Sequence, residues 1–190
     1  MRIPGRWREG FALDHHTLSS TFLGDDEFGH PMFETTRSEI GDLLYRLKYR
    51  TDESVVHDII DAAVELLSAW RPGIEVVVPV PASRTRSVQP VLVLGSAMAK
   101  RLGIPFASEC VSKSHEVPEL KNVHDFDERT RLLAGAHTVD RTHVQGRRVL
   151  LFDDLYRSGA TMNAVAGALY DQGGVLDVFA LTVTKTRSKT

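Results

Sequence analysis

One cysteine, Cys110, stands among 190 residues. A single thiol excludes an internal disulfide and a cysteine zinc ribbon. At a strand end it reads as a buried small apolar residue. No Gly-x-x-x-x-Gly-Lys-Ser/Thr occurs, so there is no P-loop. No His-Glu-x-x-His occurs either. His15 and His16 are adjacent and cannot both face one ion from a strand, and the other six histidines are scattered. No apolar run is long enough to span a membrane. The start, Met1-Arg-Ile-Pro-Gly-Arg-Trp-Arg8, lacks a signal-peptide core, so a cytoplasmic protein is expected. An excess of one charge is missing as well. The formal charge of −2 gives no electrostatic footprint for nucleic acid, although arginines cluster at Arg84-Thr-Arg86 and Arg129-Thr-Arg131. There is no repeat or low-complexity tract.

What remains has the composition of an ordinary globular domain, 42% hydrophobic and 25% charged. Residues 1–36 are polar and broken by Gly and Pro. Leu18 to Leu23, then Gly24-Asp-Asp-Glu27, then Met32 to Thr35, reads as a hairpin. Ser38 to Lys48 reads as a helix with Ile40, Leu43, Leu44 and Leu47 on one face. A second helix, capped by Asp52 or Ser54, runs to Trp70 and breaks at Pro72-Gly73. Strands and helices then alternate. Val76–Val80 is a buried strand, Gln89–Leu102 a helix ended by Gly103, and Ile104–Val111 a strand. Ser112–Asp127 is long and polar, with a helix around Phe126–Leu133. Ala136–Val139, Arg148–Phe152 and Val175–Thr184 are strands. This order predicts a mostly parallel sheet flanked by helices, with ligands at the carboxyl ends of its strands. The expected division is a small N-terminal hood or hairpin over 1–36 and an α/β domain over 37–190.

The most informative segment is Val149-Leu150-Leu151-Phe152-Asp153-Asp154-Leu155-Tyr156-Arg157-Ser158-Gly159-Ala160-Thr161. An apolar strand runs into two carboxylates. A small-residue turn follows, then a helix with Met162, Val165, Ala166, Leu169 and Tyr170 on one face. Unpaired amides at a helix start suit a phosphate dianion. Carboxylates suit sugar hydroxyls, or Mg²⁺ through water. A ligand with a phosphate at one end and a ribose diol at the other would use both. Walker B segments and response-regulator receivers also place an acidic pair after a strand. The first needs a P-loop, and the second has its pair after the first strand.

This segment resembles the 5-phosphoribosyl-1-pyrophosphate (PRPP) signature of type I phosphoribosyltransferases. The resemblance implies the α/β, Rossmann-like fold of that family. It makes Asp153 and Asp154 the catalytic pair on the ribose hydroxyls, with Mg²⁺ held there through those hydroxyls or water. It makes Arg157, Ser158, Gly159, Ala160 and Thr161 the 5′-phosphate cradle. The loop after the first sheet strand binds pyrophosphate in that family, which points to Pro81, Ala82, Ser83, Arg84 and Arg86. Read alone, that stretch is a Pro-kinked surface loop with solvated arginines before it is a ligand loop; paired with the Asp153–Asp154 segment it reads as the pyrophosphate loop. The long polar loop falls where family members carry a closing lid, so Lys113, Lys121 and Arg129 would meet the pyrophosphate. Taken alone, it is a solvated loop as readily as a lid.

Leu47-Lys48-Tyr49-Arg50, Pro79-Val80-Pro81 with a following Arg and Gln89, and Glu128-Arg129 before Ala134-Gly135-Ala136 resemble the ComF-like phosphoribosyltransferases. So does the Asp153–Thr161 segment with its Tyr156. Two features of that group are missing: the cysteine zinc ribbon, and a longer stretch after Pro-Val-Pro, here only Ser87-Val88-Gln89. The expected function is transfer of phosphoribose from PRPP, with Mg²⁺, to a small base or amine with release of pyrophosphate. Family habit implies a homodimer. Arg157 stands where some purine enzymes carry a carboxylate base, and arginine takes no proton at neutral pH. The acceptor is therefore open, with recognition expected from the hood, Phe11 to Phe33. Two other readings stay in view: a non-catalytic PRPP- or nucleotide-binding regulatory module, and a ComF-like partner protein in DNA uptake.

Overall fold

The computed structural model describes residues 1–82, 88–114 and 135–187. Its centre is a four-stranded parallel sheet in the order β1-β8-β7-β4. These strands are β1 (Glu9–His15), β4 (Val76–Pro79), β7 (Arg148–Tyr156) and β8 (Asp177–Lys185). The continuous apolar runs of β4, β7 and β8 are buried on both faces, as a covered parallel sheet requires. Successive side chains alternate between faces. Val76, Val78, Val149, Leu151, Val178 and Ala180 pack on one side with Met162, Val165 and Ala166 of helix α4 (Ala160–Ala168). Val77, Leu150, Phe152, Phe179, Leu181 and Val183 pack on the other. There they meet helices α1 (Glu39–Arg50), α2 (Val56–Trp70) and α3 (Pro90–Leu102) through Leu44, Leu47, Ile59, Leu67, Leu94 and Met98.

The helices begin and end as their sequences dictate. Ser38 Oγ caps α1 by accepting from Gly41 N–H at 2.9 Å. Pro90 occupies the first turn of α3, and Gly103, at φ 69°, ends it. The expected hairpin is present as antiparallel β2 (Thr17–Asp25) and β3 (Pro31–Arg37). A second small ribbon pairs β5 (Val111–Lys113) with β6 (His137–Val139).

Three elements depart from the sequence expectation. β1 was not anticipated, and it pairs with β8 as an edge of the central sheet. The predicted strand Ile104–Val111 is reduced to a single parallel bridge between Phe106 and Val77, followed by β5. Pro105 has no N–H to give a ladder, so only its carbonyl and the Ala107 amide bond Val77. β7 does not stop at Phe152 but runs to Tyr156, because Asp153, Leu155 and Tyr156 keep register with Thr182, Thr184 and Lys185 of β8. The expected helix around Phe126–Leu133 lies outside the described residues.

Candidate functional site

The acidic pair lies near the carboxyl end of β7, just before Leu155 and Tyr156 finish the strand. Strand alternation puts its two side chains on opposite faces. Asp153 continues the Val149–Leu151 face toward α4, and Asp154 continues the Leu150–Phe152 face toward α1. Asp153 Oδ1 accepts the Asp154 N–H at 2.8 Å. Burial first, and the Asp154 charge second, push the Asp153 carboxyl up to about 8; the amide bond and Lys48 pull it back. Asp154 Oδ2 accepts from the Lys48 ammonium at 2.6 Å, with both side chains largely withdrawn from water. The Asp154 carbonyl accepts from Thr184 Oγ1 at 3.4 Å, and that hydroxyl lies 3.2 Å from His16 Nδ1. Burial, Arg37 and Lys48 lower the His16 pKa, and Asp154 partly opposes them.

The phosphate-cradle residues follow directly. Arg157, Ser158 and Thr161 are exposed, while Gly159 and Ala160 are buried. No side chain caps the start of α4; the Ser158 hydroxyl reaches the Ala160 N–H at only 3.4 Å. Gly159 sits at φ 76°, and a Cβ there would lie 2.6 Å from the Tyr156 hydroxyl. Both facts require glycine. The turn is braced from the N-terminus. Asn163 Nδ2 donates to the Gly159 carbonyl at 2.9 Å, the Arg6 N–H donates to Asn163 Oδ1 at 2.6 Å, and the Tyr156 hydroxyl donates to the Pro4 carbonyl at 2.9 Å.

The β4 loop arrives beside this end. Val80 N–H donates to the Phe152 carbonyl at 2.8 Å, extending the β4–β7 ladder by one residue. Pro81 and Ala82 follow, and no peptide bond is cis among the described residues. Lys113 Nζ donates to the Ala82 carbonyl at 2.7 Å. The structure thus joins the base of the expected lid to the expected pyrophosphate loop, and burial lowers the Lys113 pKa. Ser83, Arg84, Arg86, Lys121 and Arg129 lie outside the described residues.

A cavity of about 260 Å³ opens past the carboxyl ends of β1 and β8, lined by His16, Thr17, Leu18, Ser19, Ser20, Thr186 and Arg187. A larger hollow of about 570 Å³, against Arg6, Arg8, Tyr170 and Asp177, adjoins the start of β8. It lies at the opposite end of that strand from the acidic pair, so the smaller cavity is the one that matters here. Sequence reasoning assigned no role to Lys48, His16, Asn163 or Thr184. Lys48 had a signal: it follows Leu44 by four residues and so shares the buried face of α1.

The resemblance implies Mg²⁺ at Asp153 and Asp154 through ribose hydroxyls or water, not by direct chelation. The carboxylates point to opposite faces, and one is already paired with an ammonium. Among the described residues no group of three or more His, Cys, Asp or Glu could hold a metal ion. This donor set does not fit a divalent ion chelated directly by the pair.

The fold is similar to that of adenine phosphoribosyltransferase from Saccharomyces cerevisiae, solved with an imino-altritol bisphosphate and adenine. The TM-score is 0.53 at 14% identity, over 88% of this chain and 84% of that one. A second adenine phosphoribosyltransferase gives 0.50 at 14% identity, over 88% and 85%. Orotate phosphoribosyltransferase from Aeropyrum pernix gives 0.48 at 18% identity, over 86% and 75%. No family model and no curated protein matches the chain. The chain has the type I phosphoribosyltransferase fold. Among the described residues no helix is long and apolar enough to cross a membrane.

Proposed function

We propose that this chain is a phosphoribosyltransferase that binds PRPP and transfers its phosphoribosyl group to a small nitrogen acceptor, a base or an amine. One observation carries the reading. The acidic pair and the uncapped start of α4 lie within one turn of each other at the carboxyl end of a central strand. A ribose held at Asp154, with Asp153 bracing the same strand segment, sets its 5′-phosphate at Arg157–Thr161. The pyrophosphate then faces Pro81, Ala82 and Lys113, with Arg84, Arg86, Lys121 and Arg129 assigned to the same role.

In the reaction the bond from ribose C1 to pyrophosphate breaks and a C1–N bond forms, while the acceptor loses one proton. Positive charge develops on the ring and negative charge on the leaving group. The protein's work is to orient the partners and stabilise the pyrophosphate. Asp154 Oδ1 can accept from a ribose hydroxyl, while Asp153, on the other face and holding the Asp154 N–H, fixes the backbone that presents it. Mg²⁺, where bound, would ride on the substrate's own oxygens and neutralise pyrophosphate charge. The acceptor enters the cavity beside His16, whose lowered pKa keeps it neutral and able to accept a hydrogen bond. Assembly as a homodimer in the cytoplasm belongs to the same proposal. Membership of the ComF-like group rests on its motifs alone.

Calorimetry with PRPP and Mg²⁺, followed by pyrophosphate release over a panel of bases and amines, tests the reading. Asp153→Asn with Asp154→Asn is expected to weaken PRPP binding by an order of magnitude or more, since the hydrogen bond to the charged Asp154 alone contributes about 1.5–3 kcal/mol. Unchanged binding in the double variant would remove the pair from the site. Arg157, in place of a carboxylate base, favours a second reading as a regulatory PRPP-binding module. Tight PRPP binding with no pyrophosphate release across the panel would select it.

A further inference from the structure

Lys48 belongs to the last turn of α1, and Asp154 to the end of β7. Only the fold brings them together, 106 residues apart. The N–O distance is 2.6 Å, and the side chains are 15% and 13% exposed. An exposed pair of this kind would contribute little. Here each group has little water to turn to, so each is costly without the other. The ammonium is a fixed monocation with three donors and no lone pair. Seated on Oδ2, it holds the position where a divalent ion would approach Asp154. Asp153 cannot share an ion at that position, because it faces the other side of the sheet, with its Oδ1 accepting the Asp154 amide at 2.8 Å.

We infer that Lys48 is the resident cation of the acidic pair: it occupies Asp154 in place of a divalent metal, so the chain alone takes no metal at Asp153–Asp154. The consequence for substrate rests on the proposed PRPP role. Any divalent ion then arrives with the pyrophosphate, and Lys48 fixes Asp154 so that Oδ1 stays free for a ribose hydroxyl.

Mn²⁺ is the probe, followed by electron paramagnetic resonance and by thermal unfolding of the full chain without substrate. Wild type and Asp154→Asn should give the same Mn²⁺ titration. Lys48→Met should gain a site about tenfold tighter than any in wild type, as expected for an uncompensated carboxylate. Its unfolding temperature should rise with Mn²⁺. Adding Asp154→Asn to Lys48→Met should abolish both effects. Mn²⁺ binding by wild type that Asp154→Asn removes would overturn the inference, as would a folded Lys48→Met that gains no site. Should Lys48→Met fail to fold, the comparison of wild type with Asp154→Asn decides alone. PRPP binding by wild type is measured in the same series. Its absence would retract the proposed function and leave the metal result standing.

Discussion

Asp153 keeps its proton in the folded chain at neutral pH, because burial and the neighbouring Asp154 charge push its carboxyl up to about 8. In the unfolded chain it ionises near its ordinary value of 3.8. Between those two values the unfolded state binds fewer protons than the folded one. This group therefore makes stability fall as pH rises from about 4 to about 8, with no further change above. Asp153→Asn has no such proton to lose. Urea unfolding across this range should show the variant gaining on wild type as pH rises, then a constant gap. Parallel curves would mean that Asp153 ionises normally in the fold. The pair itself was legible in the sequence, since an apolar run ending in two carboxylates has few other uses. The difference between the two was not. It comes from strand alternation, which sends Asp153 toward α4 and Asp154 to Lys48. That partner is distant in sequence, and a lysine on a helix face is ordinarily solvated.

The turn between β7 and α4 concentrates its constraints on one residue. Alanine at Gly159 would meet a left-handed backbone, worth about 1–2 kcal/mol, and a collision with the Tyr156 ring. Tyr156 cannot swing aside without leaving the Pro4 carbonyl. Gly159→Ala should therefore destabilise the fold by about 3 kcal/mol and weaken phosphate binding. Adding Tyr156→Ala should return about 1 kcal/mol in a double-mutant cycle. Strict additivity, read by chemical unfolding, would show that the ring imposes no limit. At this scale the buried elements were the readable ones. β4 and β7 have unbroken apolar runs, and α1, α2 and α3 have apolar faces of helical period. β1 escaped because Glu9-Gly-Phe-Ala-Leu-Asp-His15 belongs to an edge strand, where only Gly10 and Ala12 are fully buried. The Ile104–Val111 expectation failed at Pro105, whose missing N–H outweighed the apolar pattern around it.

Across the whole molecule, the N-terminal region divides into a part built into the sheet and a part set upon it. β1 lies in register with β8 and contributes Ala12 to the core. The β2–β3 hairpin packs chiefly on itself, through the Phe22 and Phe33 rings at 5.5 Å between centroids, and leaves Phe22, Leu23, Phe28, Met32 and Phe33 exposed. Its two ends meet. Thr17 is the register partner of Arg37, and Ser38 Oγ donates to the His15 carbonyl at 2.5 Å. A short glycine link can therefore join His16 to Ser38 without moving β1 or α1, as excision at adjoining surface ends allows. Because the hairpin's large apolar side chains are already in water, removing them takes little from the core. The shortened chain should unfold cooperatively, with an unfolding temperature within about 5 °C of wild type. The acidic pair, the start of α4 and the β4 loop all remain, so PRPP binding should persist. Thr17, Leu18, Ser19 and Ser20 would be gone, and with them one wall of the cavity beside His16. Transfer to an acceptor should then be lost while PRPP affinity is kept, a split that calorimetry and pyrophosphate release measure side by side. Loss of cooperative unfolding would make the hairpin part of the folding unit. Full transfer activity without it would place the acceptor on the other elements around the acidic pair.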